Sequence, residues 1–127
     1  MPPYVLVCAR DNDATAGPWQ QLPSDERVET AVEGLRMLAD PTRLRILWLC
    51  SGDELDVSTL AERLGVARPA VSQHLAKLRL VGLITQRRDG RRVLSRARDH
   101  HVADLISGLI HDAGHRLADR EAPPDPG

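Results

Sequence analysis

Leu60-Ala61-Glu62-Arg63-Leu64-Gly65-Val66-Ala67-Arg68-Pro69-Ala70-Val71-Ser72-Gln73-His74-Leu75-Ala76-Lys77-Leu78 is the stretch that decides the fold. A short helix is expected over residues 59–64, with Ser58 as its cap and Gly65 closing it in the left-handed conformation. After a three-residue turn, a second helix turns Val71, Leu75 and Leu78 to one side and ends near residues 80–82. Ala61 is small where the two helices cross, and Val71 anchors the second. This is the pattern of a helix-turn-helix.

Upstream, Val28, Ala31, Val32, Leu35 and Leu38 recur at helical spacing and predict a helix over 25–39. Asp40-Pro41 stops it and starts another over 41–50, with Asp as N-cap and Pro at the first helical position; Ser51-Gly52 ends that one. Residues 53–57 read as an extended link. Downstream, residues 83–88 and 91–96 flank Asp89-Gly90, a dipeptide suited to a two-residue hairpin turn. A hairpin directly behind the two helices makes the unit winged. From Asp99, a final helix carries Val102, Leu105, Ile106, Leu109, Ile110, Ala113 and Leu117 as one apolar stripe, long enough to imply a partner. The expected class is mainly α with a small β-hairpin, dimeric through the first and last helices. The expected domain is 25–120, between a flexible tail at 1–24 and a disordered, proline-rich one at 121–127.

Composition agrees. The 127 residues hold 42% apolar but only 2% aromatic side chains and no Phe, so the core must come from Leu, Val, Ile and Ala, which favours packed helices. The net charge is -1, yet residues 61–98 carry ten basic groups against two acids, +8, leaving -9 for the remainder. Cys8 and Cys50 are far apart, and no apolar run is long enough for a signal peptide or a membrane span, so a reduced, cytoplasmic protein is expected.

On the second helix of the pair, Pro69, Gln73, Ala76 and Lys77 point away from the apolar side, with Arg68 and Ser72 on the flank. Gln reads adenine bidentately, Ser both donates and accepts, and Arg and Lys suit phosphate or guanine. His74 falls about 60° from the inward direction and reads as a structural hydrogen-bonding histidine. Arg87, Arg88, Arg91 and Arg92 surround the hairpin tip as a clamp for phosphate or the minor groove. The expected DNA-contacting set is therefore Arg68, Ser72, Gln73, Lys77 and those four arginines.

Leu38-Ala39-Asp40-Pro41-Thr42-Arg43-Leu44-Arg45-Ile46-Leu47, Leu60-Ala61-Glu62-Arg63-Leu64-Gly65 and Ala70-Val71-Ser72-Gln73-His74-Leu75-Ala76-Lys77-Leu78 together resemble the ArsR/SmtB repressors over residues 28–115. The resemblance implies a homodimeric winged-helix repressor, not an enzyme, and in many members release of the operator when metal binds. It also implies a metal site on the last helix, patterned Asp-x-His and, ten residues on, His-x-x-His or His-x-x-Glu. The matching positions are Asp99, His101, Asp112 and His115. Asp112 departs from the usual His, which hardens the site.

His101 and Asp112 are eleven residues apart, about 16 Å along a helix, too far for one ion within one chain. Two last helices paired antiparallel about a two-fold axis would bring Asp99 and His101 of one to Asp112 and His115 of the other. His100 and His111 read as surface residues, able to supplement a six-coordinate ion. Four N and O ligands suit Zn²⁺ or Co²⁺, while Ni²⁺ wants further donors. No cysteine lies between Asp53 and Leu64, where the family's thiolate sensors carry theirs, which argues against thiophilic metals. Residues 36–48, 72–79 and 87–90 look especially like actinobacterial nickel and cobalt sensors. The alternatives are a winged-helix repressor sensing redox state through Cys8 and Cys50, or one with no inducer metal. A metal-dependent hydrolase has little support: the chain has no nucleophile elbow, no HExxH and no glycine-rich phosphate loop.

Overall fold

A computed structural model describes residues 18–121. After a 3-10 turn at Pro18–Gln20 come α1 (Asp25–Leu38), α2 (Pro41–Gly52), α3 (Val57–Leu64), α4 (Arg68–Leu80), β1 (Ile84–Asp89), β2 (Arg92–Ala97) and α5 (His100–Glu121). This is the expected mainly α winged helix-turn-helix. Most of the two expected tails lies outside the described residues, and Glu121 still belongs to α5.

Local chemistry sets the boundaries. The Asp40 carboxylate accepts from the Arg43 amide at 2.8 Å with Pro41 at the first helical position, as expected. The α2 helix runs on through Ser51 and Gly52 rather than stopping there, and Ser51 Oγ donates back to the Leu47 carbonyl at 2.7 Å. The cap of α3 is Asp56, not Ser58: its Oδ1 accepts from the Thr59 amide at 2.9 Å. Gly65, at φ +66°, closes α3 in the left-handed conformation.

The hairpin is antiparallel, with Ile84 opposite Ala97 and Asp89 opposite Arg92. Its two loop residues are therefore Gly90 and Arg91, one position later than Asp89-Gly90. Gly90 takes φ +63° while Arg91 stays negative, as in a type II′ turn, which needs Gly at its first central position only. The link before α3 adds a bridge: Leu55 donates to the Ser95 carbonyl at 3.0 Å, and Ser95 donates back at 2.8 Å.

The core forms around α2, which packs against α3, α4, α5 and β2. Ile46, Leu47, Leu60, Val71, Leu78 and Ile106 are fully buried, so aliphatic side chains from four helices supply the driving force, each worth about 1.5–3 kcal/mol on burial. Only Val102 and Ile106 of the α5 stripe are buried; Leu105, Leu109, Ile110 and Leu117 remain exposed, as do Val28, Val32 and Leu35 of α1.

Candidate nucleic-acid interface and metal centre

With Val71, Leu75 and Leu78 buried, α4 turns Arg68, Ser72, Gln73 and Lys77 to solvent on its opposite half. Pro at the start of α4 and the left-handed Gly65 before it fix how that half is presented. His74 is partly buried, and its Nδ1 lies 3.4 Å from Arg43 Nη1. A guanidinium only donates, so this nitrogen accepts. Arg43 Nε also donates to the Met37 carbonyl at 2.6 Å, which ties α4 to the corner between α1 and α2.

The four wing arginines are all exposed but not equivalent. Arg87 donates through Nε and Nη2 to Glu54 Oε2 and Oε1 at 2.8 and 3.0 Å. Arg92 Nε donates to Asp56 Oδ2 at 3.0 Å. Arg87 holds the Glu54 carboxyl below its ordinary range. Asp56 is held at about 2, mainly by the hydrogen bonds from Thr59 and then by Arg92. Arg88 and Arg91 have no such partner among the described residues. Glu54 and Asp56 were not singled out from the sequence. Their signal was faint: two acids spaced two apart in an extended link facing a basic hairpin.

On α5, Asp99 Oδ1 caps the helix through the Val102 amide at 3.2 Å and lies 3.7 Å from His101 Nδ1. Its Oδ2 accepts from Arg98 Nε at 2.9 Å, and Arg98, then that capping amide, hold the carboxyl below its ordinary range. Arg98 Nη1 reaches back to the Gly82 carbonyl at 3.1 Å, just past the end of α4. Two hydrogen bonds thus join a candidate ligand, through Arg98, to the turn just after α4.

Asp112 and His115 are exposed further along α5, and Asp112 Oδ2 pairs with Arg116 Nε at 2.9 Å. Among the described residues, no three His, Cys, Asp or Glu of a single chain gather as a metal site. His111 is exposed, as expected of a surface residue, but it also lines an open groove of about 410 Å³ with Trp48, Ile110, Gly114, His115 and Ala118. Its Nδ1 donates to the Ser107 carbonyl at 2.8 Å, leaving Nε2 as a free donor for a cation.

Cys50 is 2% exposed, and burial pushes its thiol up to about 12, so the reactive thiolate is scarce at neutral pH. Cys8 lies outside the described residues. No helix of the described residues is long and apolar enough to cross a membrane.

A family model described as a helix-turn-helix domain matches residues 38–87. Over 102 residues the chain is 44% identical to the HTH-type transcriptional regulator KmtR of Mycobacterium tuberculosis, spanning 80% of this chain and 77% of that protein. It is 39% identical over 92 residues to the HTH-type transcriptional repressor SmtB of the same species, spanning 72% of this chain and 68% of the repressor. A solved homodimeric winged helix-turn-helix DNA-binding domain from Mycobacterium bovis, described as a possible ArsR-family regulator, superposes with a TM-score of 0.71 at 27% identity. That match covers 80% of this chain and 96% of the other.

Proposed function

This chain belongs to the ArsR/SmtB family of winged helix-turn-helix transcriptional regulators, whose partner is operator DNA, and from that premise we propose a homodimeric repressor that leaves its operator when a divalent transition metal binds. The metal-binding residues are Asp99 and His101 of one copy with Asp112 and His115 of the second. The observation that carries this reading is the layout of α5. Two donor pairs sit at either end of an uncovered apolar row, Leu105, Leu109 and Ile110. Antiparallel pairing buries that row and brings the first pair of each copy to the second pair of its mate. Val28, Val32 and Leu35 of α1 are also exposed and supply a second apolar face for pairing.

Two imidazole nitrogens and two carboxylate oxygens suit Zn²⁺ or Co²⁺, and His111 with its free Nε2 offers the further donor that Ni²⁺ prefers. When bound, the ion supplies a rigid tie between the two α5 helices. The chain's own part is transmission: Asp99 holds Arg98, and Arg98 holds the Gly82 carbonyl behind α4. A change of partner at Asp99 is felt where the reading helices must sit about 34 Å apart on successive major-groove turns. Coupling of this kind is worth about 1–3 kcal/mol.

The contacts with DNA fall to Arg68, Ser72, Gln73 and Lys77 of α4 and to the wing arginines Arg87, Arg88, Arg91 and Arg92, all exposed. Titrating Zn²⁺, Co²⁺ and Ni²⁺ into an operator complex followed by fluorescence anisotropy should release the DNA with at least one of them. His101→Ala and Asp112→Ala should each abolish that release. A complex indifferent to all three metals overturns the sensing function, and a monomer by sedimentation overturns the placement of the site.

A further inference from the structure

The β1–β2 register pairs Arg87 with Leu94, Asp89 with Arg92 and Thr85 with Arg96. Side chains of directly paired residues share a face, so Arg87, Arg92, Leu94 and Arg96 line one side of the wing. The link before α3 pairs along the free edge of β2: Leu55 bridges Ser95, whose side chain lies on the other face, so the flanking Glu54 and Asp56 project together to the Arg87 side. Glu54 takes Arg87 with both oxygens in a two-pronged grip, and Asp56 takes Arg92 while capping α3 with its other oxygen. Arg88 lies opposite Val93 on the other face and Arg91 sits in the turn; neither meets a carboxylate among the described residues.

We propose that Arg87 and Arg92 are positioning residues whose pairs with Glu54 and Asp56 set the angle of the wing against α3, and that the wing delivers its charge to phosphate through Arg88 and Arg91. This rests on the DNA-contact assignment above and narrows its wing part from four arginines to Arg88 and Arg91. The physical ground is competition. An arginine already committed to a carboxylate must give up that pair to neutralise a phosphate, whereas a free guanidinium loses only water. The Asp56–Arg92 pair also joins the wing to the first helix of the helix-turn-helix, so tilting the wing strains the cap of α3.

Salt dependence separates the two roles, because the slope of log K against log salt counts neutralised phosphates at about 0.9 each. Operator binding by the full chain, measured by anisotropy over a range of salt, should lose about one unit of slope in Arg88→Ala and in Arg91→Ala. Arg87→Ala and Arg92→Ala should keep the wild-type slope and weaken binding at every salt by up to about fivefold, the upper range for an exposed pair. The double swap Glu54→Arg with Arg87→Glu should recover affinity, which a glutamate facing phosphate would not. Overturning results are an Arg87→Ala slope that falls as far as that of Arg91→Ala, or a Glu54→Gln variant that binds more tightly with a steeper slope. The latter would make Glu54 a competitor of DNA rather than a brace. If wild type binds the operator but none of the four substitutions moves the slope, the wing does not touch DNA, and the contact assignment itself fails.

Discussion

Asp56 shows how much one side chain can carry. One carboxylate oxygen holds the Thr59 amide at the start of α3, and the other holds Arg92 on the wing. Removing a cap of this kind costs about 1 kcal/mol, so Asp56→Ala should lower stability by roughly that amount in urea titrations, while Ser58→Ala should change it little. The folded value of Asp56 lies at about 2, below the ordinary 3.8. A depressed carboxylate contributes its full stabilisation above the ordinary value and loses it as pH falls towards the folded one. Melting curves between pH 5 and about pH 2.5 should therefore drop less in Asp56→Ala than in wild type. From the sequence the cap falls on Ser58, two positions too late. The long-range partners that hold the preceding link, Ser95 through Leu55 and Arg92 directly, place Asp56 there instead. Cys50 is the opposite case, legible from the start: a small thiol in an apolar helix is buried. It should ignore a thiol reagent in native protein and react on unfolding; rapid native labelling would revive the redox alternative.

Among the elements, the five α-helices and both strands were readable from period and punctuation, with misses at their ends, while the short 3-10 turn at Pro18–Gln20 and the Leu55–Ser95 bridge left no periodic signal. Helix α2 takes in Ser51 and Gly52 before ending, and the hairpin turn shifts by one residue because pairing across the strands outranks dipeptide preference. What no period reveals is a link between elements. Arg98 joins the start of α5 to the end of α4, and its consequence is specific. Arg98→Ala frees Asp99 Oδ2 and should raise metal affinity by no more than about twofold, reduce operator affinity modestly, and remove most of the metal-dependent change in it. Calorimetry and anisotropy on the same variant check this, and full metal-induced release would place the coupling elsewhere. The α5 row makes a second claim at this scale. Leu109, 39% exposed in a single copy, should be covered in the dimer, so Leu109→Lys should shift sedimentation towards monomer and weaken operator binding with it.

For the whole molecule, charge separation is the broadest feature: +8 over residues 61–98 against -9 elsewhere. The acidic remainder is repelled by a duplex while the basic segment is drawn to it, so encounter is oriented before contact and should slow markedly as salt rises. The sequence showed this polarity, and it also supplied candidate ligands. It could not show their present commitments. Asp112 is engaged with Arg116 at 2.9 Å within its own helix. At the proposed metal site a cation would have to win that oxygen from the guanidinium, once in each half of the dimer. An exposed pair one helical turn apart is worth only about 0.3–0.5 kcal/mol, so it blunts sensitivity slightly, and Arg116→Ala should release the operator at metal concentrations about twofold lower.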